Sequence, residues 1–441
     1  MVTDYNSIQP LSVNARKREL PAVITRMVLG ARVVNPWHGQ EDAYSIEDVV
    51  EKRQLWKDDF IVAESVAKRI IIELSLNRII SAHEVLNIRE RAQEIIESMT
   101  DDRAGKTGIL MLKDQGGCGY WRAAMPARYM DTSDLYIDIT SGKVDFGHLL
   151  DYKTVFVQRI HDWESVEVLR RLKKLGKKIV YDIDDDLFSI PEGNPARNSI
   201  GRNEHMAALE CMRIADVVTT TTRALQERLT YMLDGIVPVI VPNAYDFDSS
   251  WLPTEQTGSP DGYKRIFWQG SNTHDLDWSE CFEAVDIVMS KYDNLRMVVL
   301  GFLPSLIQKN LKSKQWNGKV EYMGPLEPEA YFQLIHHVRA EVGLAPVLQN
   351  AFNESKSPIK FMENAMIGMP TVASNVRAYS DYIKNGEDGF LCKGTEEWVK
   401  AIELCLNDKS ERLRILENAR EKVRRDFDIK KVAKRWKDIL A

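Results

Sequence analysis

Apolar positions along this chain change their spacing, and the changes mark its parts. Residues 1–104 show an aromatic-rich patch at Val34-Asn-Pro-Trp-His-Gly39 and then helical spacing, with no alternation of strand and helix. Ser81-Ala-His-Glu84 is a capping box, and Val85, Ile88, Ala92, Ile95, Ile96 and Met99 follow it on one helical stripe. An Ile-rich stretch from Phe60 to Leu76 predicts an earlier, more buried helix. We read this mainly helical extension as packing for the domain that follows, with an interaction module as the alternative. From about Thr107 short apolar runs alternate with amphipathic helices, the pattern of a parallel sheet covered on both faces. Strands are expected at Gly108–Leu112, Leu135–Ile139, Thr154–Gln158, Lys178–Asp182, Val217–Thr220 and Val239–Val241, with helices at Trp163–Leu175 and His205–Ala215. Trp251–Gly262 has the Pro, Ser and Gly content of a linker. A second run of strands follows at Arg265–Trp268, Met297–Gly301, Val320–Met323, Glu341–Ala345, Pro370–Ala373 and Gly389–Cys392, and a final helix at Ile429–Leu440. The predicted class is α/β, with two Rossmann-like doubly wound domains at 105–250 and 263–428, the extension at 1–104 and a C-terminal helix at 429–441. In such a pair a ligand lies between the domains, at the carboxyl ends of the strands.

Candidate chemistry concentrates in four stretches. The first is Asn353 to Ser374, NESKSPIKFMENAMIGMPTVAS. Ser357 is a good N-cap and Pro358 suits the first helical position, so the helix is expected to start at Pro358 and offer its unpaired first-turn amides to a phosphate. Lys356 and Lys360 add full charges there. Ile359, Met362 and Met366 are expected on the core face, with Lys360 and Glu363 on the neighbouring stripe. Gly368 and Pro370 end the helix before the apolar strand Thr371-Val-Ala-Ser374. The second stretch, Asp114-Gln-Gly-Gly-Cys-Gly-Tyr-Trp-Arg122, places Gly116, Gly117 and Gly119 after the first strand, where glycine lets the backbone approach a ligand, and Arg122 within reach of the same ligand. It is not G-x-G-x-x-G, so a dinucleotide cofactor is not expected. The third, Val180-Tyr-Asp-Ile-Asp-Asp-Asp-Leu187, is a carboxylate cluster at a strand end, of the kind that binds a hard divalent cation, caps a turn or supplies a base. The fourth, Gln269-Gly-Ser-Asn-Thr-His-Asp-Leu-Asp277, offers Gly270 for close approach, Ser271 as a donor, His274 to a phosphate or hydroxyl, and Asp275 or Asp277 as a cap for the next helix.

Lys356-Ser-Pro-Ile-Lys-Phe-Met-Glu363 with Gly368-Met-Pro-Thr-Val-Ala-Ser374 resembles the donor-site signature of GT-B glycosyltransferases, and more narrowly that of the retaining family 4-like members. The resemblance implies transfer of a hexose or pentose from a nucleotide sugar to an acceptor hydroxyl on a glycan, a small molecule or a modified base in DNA. It implies that Glu363 holds the donor ribose, that Lys356, Lys360 and the helix start hold the diphosphate, and that Gly116, Gly117, Gly119, Arg122, Gly270 and Ser271 assist. The C-terminal helix would cross back onto the first domain. Gln158-Arg159, Gly176-Lys-Lys178 and the Asp run together look like a GT-B subgroup whose carboxylates face the cleft, where Asp184, Asp185 or Asp186 would serve as base in an inverting enzyme, beside His274. Many retaining members carry a second glutamate eight positions before the first; here that position is Ser355, with Glu354 adjacent. A GT-B scaffold that has lost transfer is therefore one alternative, and an Asp-dependent phosphatase another. The phosphatase lacks the hydroxyl residue expected two positions after its second Asp, where Asp186 stands, and a GT-A enzyme would have one Rossmann-like half. No metal and no cofactor beyond the nucleotide sugar is expected.

Composition narrows the setting. At 441 residues the chain can bury the cores of roughly two to three domains. A net charge of −6 gives no general attraction to nucleic acid or anionic membrane. The five cysteines are scattered without metal spacing and suit a reducing cytoplasm. No apolar leader or membrane-length apolar window is present, so neither export nor a membrane span is expected.

Overall fold

The computed structural model describes residues 109–113, 117–130, 134–137, 152–247, 261–326, 331, 334–335 and 337–441. The helices expected within residues 1–104, and Gly116, lie outside these. Ile109–Thr140 and Thr154–Ala441 form one compact unit, and both sheets belong to it.

The apolar runs form two six-stranded sheets. In the first, β1 (Ile109–Lys113), β2 (Asp134–Ile137), β3 (Thr154–Gln158), β4 (Lys178–Ile183), β5 (Val217–Thr220) and β6 (Val239–Ile240) lie in the order β2-β1-β3-β4-β5-β6. In the second, β7 (Lys264–Gly270), β8 (Leu295–Gly301), β9 (Val320–Met323), β10 (Val342–Ala345), β11 (Thr371–Ser374) and β12 (Phe390–Cys392) lie in the order β12-β11-β10-β7-β8-β9. Every pairing is parallel. That explains why β3 is buried at all five positions: helices cover both faces, so Thr-Val-Phe-Val-Gln has no solvent side. The order reverses direction beside β1 in one sheet and beside β7 in the other, and each reversal opens a crevice at the strand ends. Gly301 ends β8 with φ 99°, and a Cβ there would lie 2.4 Å from Gly270 O, so the paired ends of β7 and β8 meet only because glycine stands at 301.

All twelve expected strands form, most with ends shifted by one or two residues. The C-terminal helix Ile429–Leu440 buries Ile429, Val432, Ala433, Trp436 and Leu440 and turns its lysines outward. It packs on the first sheet: Trp436 meets Phe156 of β3 edge-on at 5.2 Å, and Thr154 Oγ1 donates to Leu440 O at 3.1 Å. Just before it, Tyr245 N donates to Phe427 O and Ile429 N to Tyr245 O, so the chain re-enters the first sheet's side through a short backbone bridge. Trp436 is fully buried, so Trp436→Ala opens a cavity against Phe156 and Arg122 and should cost about 3–5 kcal/mol, read as a lower denaturant midpoint.

Candidate active site

A cavity of about 570 Å³ opens at the carboxyl ends of the strands, lined from the first sheet's side by Gly117, Cys118, Asp184 and Asp185 and from the second's by Gly270, Ser271, His274, Lys356, Lys360 and Glu363. The two sets, far apart in sequence, meet there because β4, β7 and the helix after β10 all point their ends at the same space.

The helix that carries Lys360 and Glu363 runs Ile359–Ile367, one residue later than the capping pattern suggested. Pro358, not Ser357, is its N-cap, and no side chain caps it; Ser357 contributes its carbonyl to Ile359 N at 2.9 Å instead. Proline at that place with ψ 44° cannot lead in a turn earlier. Ser357 still lines the cavity. The stripe expected beside the core face, with Lys360 and Glu363, is itself buried. From Lys360 to Ile367 every side chain is buried, because the helix is enclosed between its own sheet and the C-terminal segment. Charges buried this way feel their neighbours strongly. Burial, with Lys356 beside it, pushes Lys360 down to about 8. Burial pushes Glu363 up to about 7, although Tyr331 and Lys360 pull it back. Glu363 accepts from Gln269 Nε2 and, at 3.0 Å, from the Tyr331 hydroxyl. Neither partner was given a role from the sequence; Gln269 stood only as the first residue of the stretch that runs to Asp277, and Tyr331 had no local motif.

At the end of β7, Gly270 is required by packing, since a Cβ would meet the Trp268 ring at 2.7 Å. Ser271 Oγ shares a hydrogen bond with Thr273 Oγ1 at 2.6 Å. His274 Nδ1 lies 2.8 Å from Asp277 Oδ2, and its Nε2 lies 3.3 Å from Lys360 Nζ. Asp275 caps a different helix from the one anticipated, accepting from Ser305 N and Oγ, both at 2.7 Å. Asp277 caps no helix at all.

The first-sheet wall needs three corrections. The glycine stretch is helical from Gly117, with a π-turn at Tyr120–Ala124, rather than a loop. Gly119 is buried in it, while a Cβ on Gly117 would meet open space, so that glycine leaves room in the cavity instead of fitting a turn. Arg122 does not reach the cavity: fully buried, it forms two bonds to Asp182, at 2.9 and 2.7 Å, and two more to Val241 O and Asn243 Oδ1, under the Trp436 ring. With each of its three guanidinium nitrogens engaged in this way, it is a clamp. Asp186 is likewise withdrawn from any role as base, because it is buried against Arg228 and accepts from Phe188 N at 3.2 Å.

Asp184 and Asp185 remain at the cavity. Asp184 is pushed up to about 6 by burial, an effect that Arg159 partly offsets. For Asp185 burial is outweighed by Lys356 and Arg159, which hold it below its ordinary value. The cluster of Cys118, Asp184 and Asp185 has metal-like spacing, with ligand atoms within 4.8 Å of one another. The Arg159 guanidinium already stands among them, 2.8 Å from Cys118 Sγ, 3.5 Å from Asp184 and 3.7 Å from Asp185. Arg159 adopts φ 56°, left-handed and unusual for a long side chain, at the turn out of β3. Its position in Gln158-Arg159 was the sequence signal for it. Asp184 Oδ1 is buried and accepts no hydrogen bond.

Residues 254–422, less than half of the chain, match the family model of glycosyl transferases group 1. The structure is similar to that of Anabaena HepE crystallised with UDP-glucose, with TM-score 0.56 and 13% identity, over 76% of this chain and 99% of that one. It is also similar to sucrose-phosphate synthase from Thermosynechococcus elongatus, with TM-score 0.53 and 12% identity, over 76% of this chain and 98% of that one. No curated protein matches by sequence. The fold is GT-B, and the match over residues 254–422 supports a glycosyltransferase. Among the described residues no helix is long and apolar enough to cross a membrane.

Glu363 links this site to stability. Its value in the folded protein is raised, so its contribution is present at low pH and is lost as pH rises through about 7. Glu363→Gln cannot ionise and should therefore gain stability relative to the native protein as pH rises from about 4.5 to about 7, by on the order of 3 kcal/mol, with no further gain above that. Urea unfolding across that range checks it; a difference that does not change with pH would mean that Glu363 stays ionised throughout.

Proposed function

We propose that this protein transfers a hexosyl or pentosyl group from a nucleoside-diphosphate sugar to an acceptor hydroxyl. The observation that carries this reading is the polarity of the cavity: Lys356 and Lys360 stand on the second sheet's wall, and the Asp184–Asp185 pair stands on the first's. The lysines and the first turn at Ile359 would hold the diphosphate and stabilise its charge as it leaves. Glu363, close by on the same helix, would take the ribose hydroxyls, for which its ionised form is needed. Gly117, Gly270 and Ser271 would line the donor's path, with residues 105–250 serving as acceptor domain and 263–428 as donor domain. The UDP-glucose held by HepE makes UDP sugars the first donors to try. Asp184, which lines the cavity from the first sheet's side, is the group to meet the acceptor hydroxyl, as base if the enzyme inverts. We read the site as independent of metal because Arg159 already neutralises the Asp pair, and the setting as cytoplasmic.

The experiment is a panel of UDP, GDP, ADP and dTDP sugars, hexoses and pentoses, watched for nucleoside diphosphate release with and without EDTA. One donor should turn over, and EDTA should leave the rate unchanged. Release by none, or complete loss with EDTA and rescue by Mn²⁺, overturns the assignment in its activity or its metal independence respectively. With the donor in hand, Lys356→Ala should weaken its binding by about 1.5–3 kcal/mol, while Asp184→Asn should lower turnover far more than donor affinity. Native donor affinity should be greatest between the ionisation of Glu363 at about 7 and the loss of charge on Lys360 at about 8, falling on both sides. Calorimetry over that range would show it.

A further inference from the structure

The bonds around Asp277 run in one direction. Its Oδ1 accepts from Leu348 N at 2.9 Å and from Asn353 Nδ2 at 2.8 Å, which leaves Oδ2 for the His274 ring, 2.8 Å from Nδ1. An ionised carboxylate only accepts, so Nδ1 carries the ring proton and Nε2 presents its lone pair. The group facing Nε2 at 3.3 Å is the Lys360 ammonium, which only donates. Lys360 thus donates to His274 and His274 donates to Asp277. A charged ring would oppose the ammonium. Burial, with Lys360 and Lys356 beside it, pushes His274 down to about 3, so the ring is neutral under physiological conditions. Lys356 and Glu363 also face the pair, and Asp185 faces it from across the cavity.

We propose that His274 is a positioning residue that acts on the donor through Lys360, with Asp277 fixing the tautomer that holds the ammonium at the cavity wall for the diphosphate. This changes the role read for His274 in the sequence, where the imidazole was to donate to a phosphate or orient a hydroxyl. In this arrangement its only ring proton faces Asp277. The proposal rests on the reading of the cavity as a nucleoside-diphosphate-sugar site, and it explains why a buried lysine can stay charged there: it has a neutral acceptor in reach as well as carboxylates.

Asp277→Asn tests it at constant volume. The two donors on Oδ1 oblige an asparagine to keep its oxygen toward Leu348 N and Asn353, so its amide N–H₂ faces Nδ1. The ring must then move its proton to Nε2 and turn a donor toward the ammonium. Binding of UDP, GDP and ADP would be followed by calorimetry from about pH 6 to pH 9 for the native protein, Asp277→Asn, His274→Ala and His274→Gln. For the nucleotide that the native protein binds, Asp277→Asn and His274→Ala should bind about tenfold more weakly, with the alkaline fall in affinity moved to lower pH, because the charged form of Lys360 has lost its acceptor. His274→Gln, which offers a carbonyl oxygen, should bind within about threefold of native with the fall unmoved. In parallel, imidazole ¹⁵N spectra of the unliganded native protein should show His274 neutral with Nδ1 protonated, and Asp277→Asn should show Nε2 protonated. An Nε2-protonated ring in the native protein overturns the proposal, as does native affinity and an unmoved alkaline fall in folded Asp277→Asn and His274→Ala. If the native protein binds none of the three nucleotides, the donor reading fails, and the ring spectra still decide the relay.

Discussion

The buried Arg122 guanidinium is the interaction on which the rest of this architecture depends. It comes from the helix after β1, grips Asp182 at the end of β4, reaches Val241 O and Asn243 beyond β6, and lies under Trp436 of the C-terminal helix. Four segments distant in sequence are thereby fixed to one planar cation. An isolated charge so buried is costly, and the bidentate geometry with further carbonyl acceptors is what makes it tolerable. Thr219 Oγ1 adds a bond to the same Asp182 carboxylate at 2.7 Å. Because Asp182 is anchored, the two residues that follow Ile183 leave the strand in a defined direction, and Asp184 and Asp185 arrive at the cavity instead of in solvent. Asp186, next in line, is drawn the other way by Arg228.

The second sheet builds its wall by a different means. There the charges sit on a helix that is buried along its length, and their environment rather than their number sets their behaviour. Lys360 is driven toward neutrality and Glu363 toward protonation by the same loss of water. Direct bonds join this wall to the first: Thr222 Oγ1 donates to Ser355 O at 2.9 Å, Asn194 Nδ2 to Thr273 O at 3.3 Å, and Arg377 pairs with Glu227 at 2.9 Å. The first two tie the segments just before Lys356 and His274, so the positive and negative walls are set across the cavity by contacts at its rim.

The fold was largely legible because parallel strands buried on both faces leave an unmistakable signal, a short apolar run between amphipathic helices; β3, β5 and β9 match the expected ends residue for residue. Local rules carried less far at the site. The Ser-Pro pair promised a cap that the backbone does not make, since capping depends on the φ and ψ of one residue, and here Pro358 takes the cap position itself. Arg122 resembled a phosphate ligand because a sequence shows charge and not partners; the acceptors that claim it lie 60 and about 120 positions away. Arg159 and Asp277 were visible as residues, but their work depends on geometry, a left-handed turn in one case and two amide donors in the other.

Ser355 shows how an apparent loss in a motif can be a change of use. The resemblance places a second glutamate at this position in many retaining enzymes. Here the hydroxyl turns back into its own helix, donating to Ala351 O at 3.1 Å, and the residue is fully buried. Its carbonyl takes the bond from Thr222, the N-cap of a first-sheet helix, which also caps Leu225 N. A glutamate at 355 would bring a longer, charged side chain into a fully buried position, next to a carbonyl that joins the two walls. The substitution therefore belongs to the closing contact. Asp184 and Asp185 are the carboxylates that the first sheet delivers to the cavity wall.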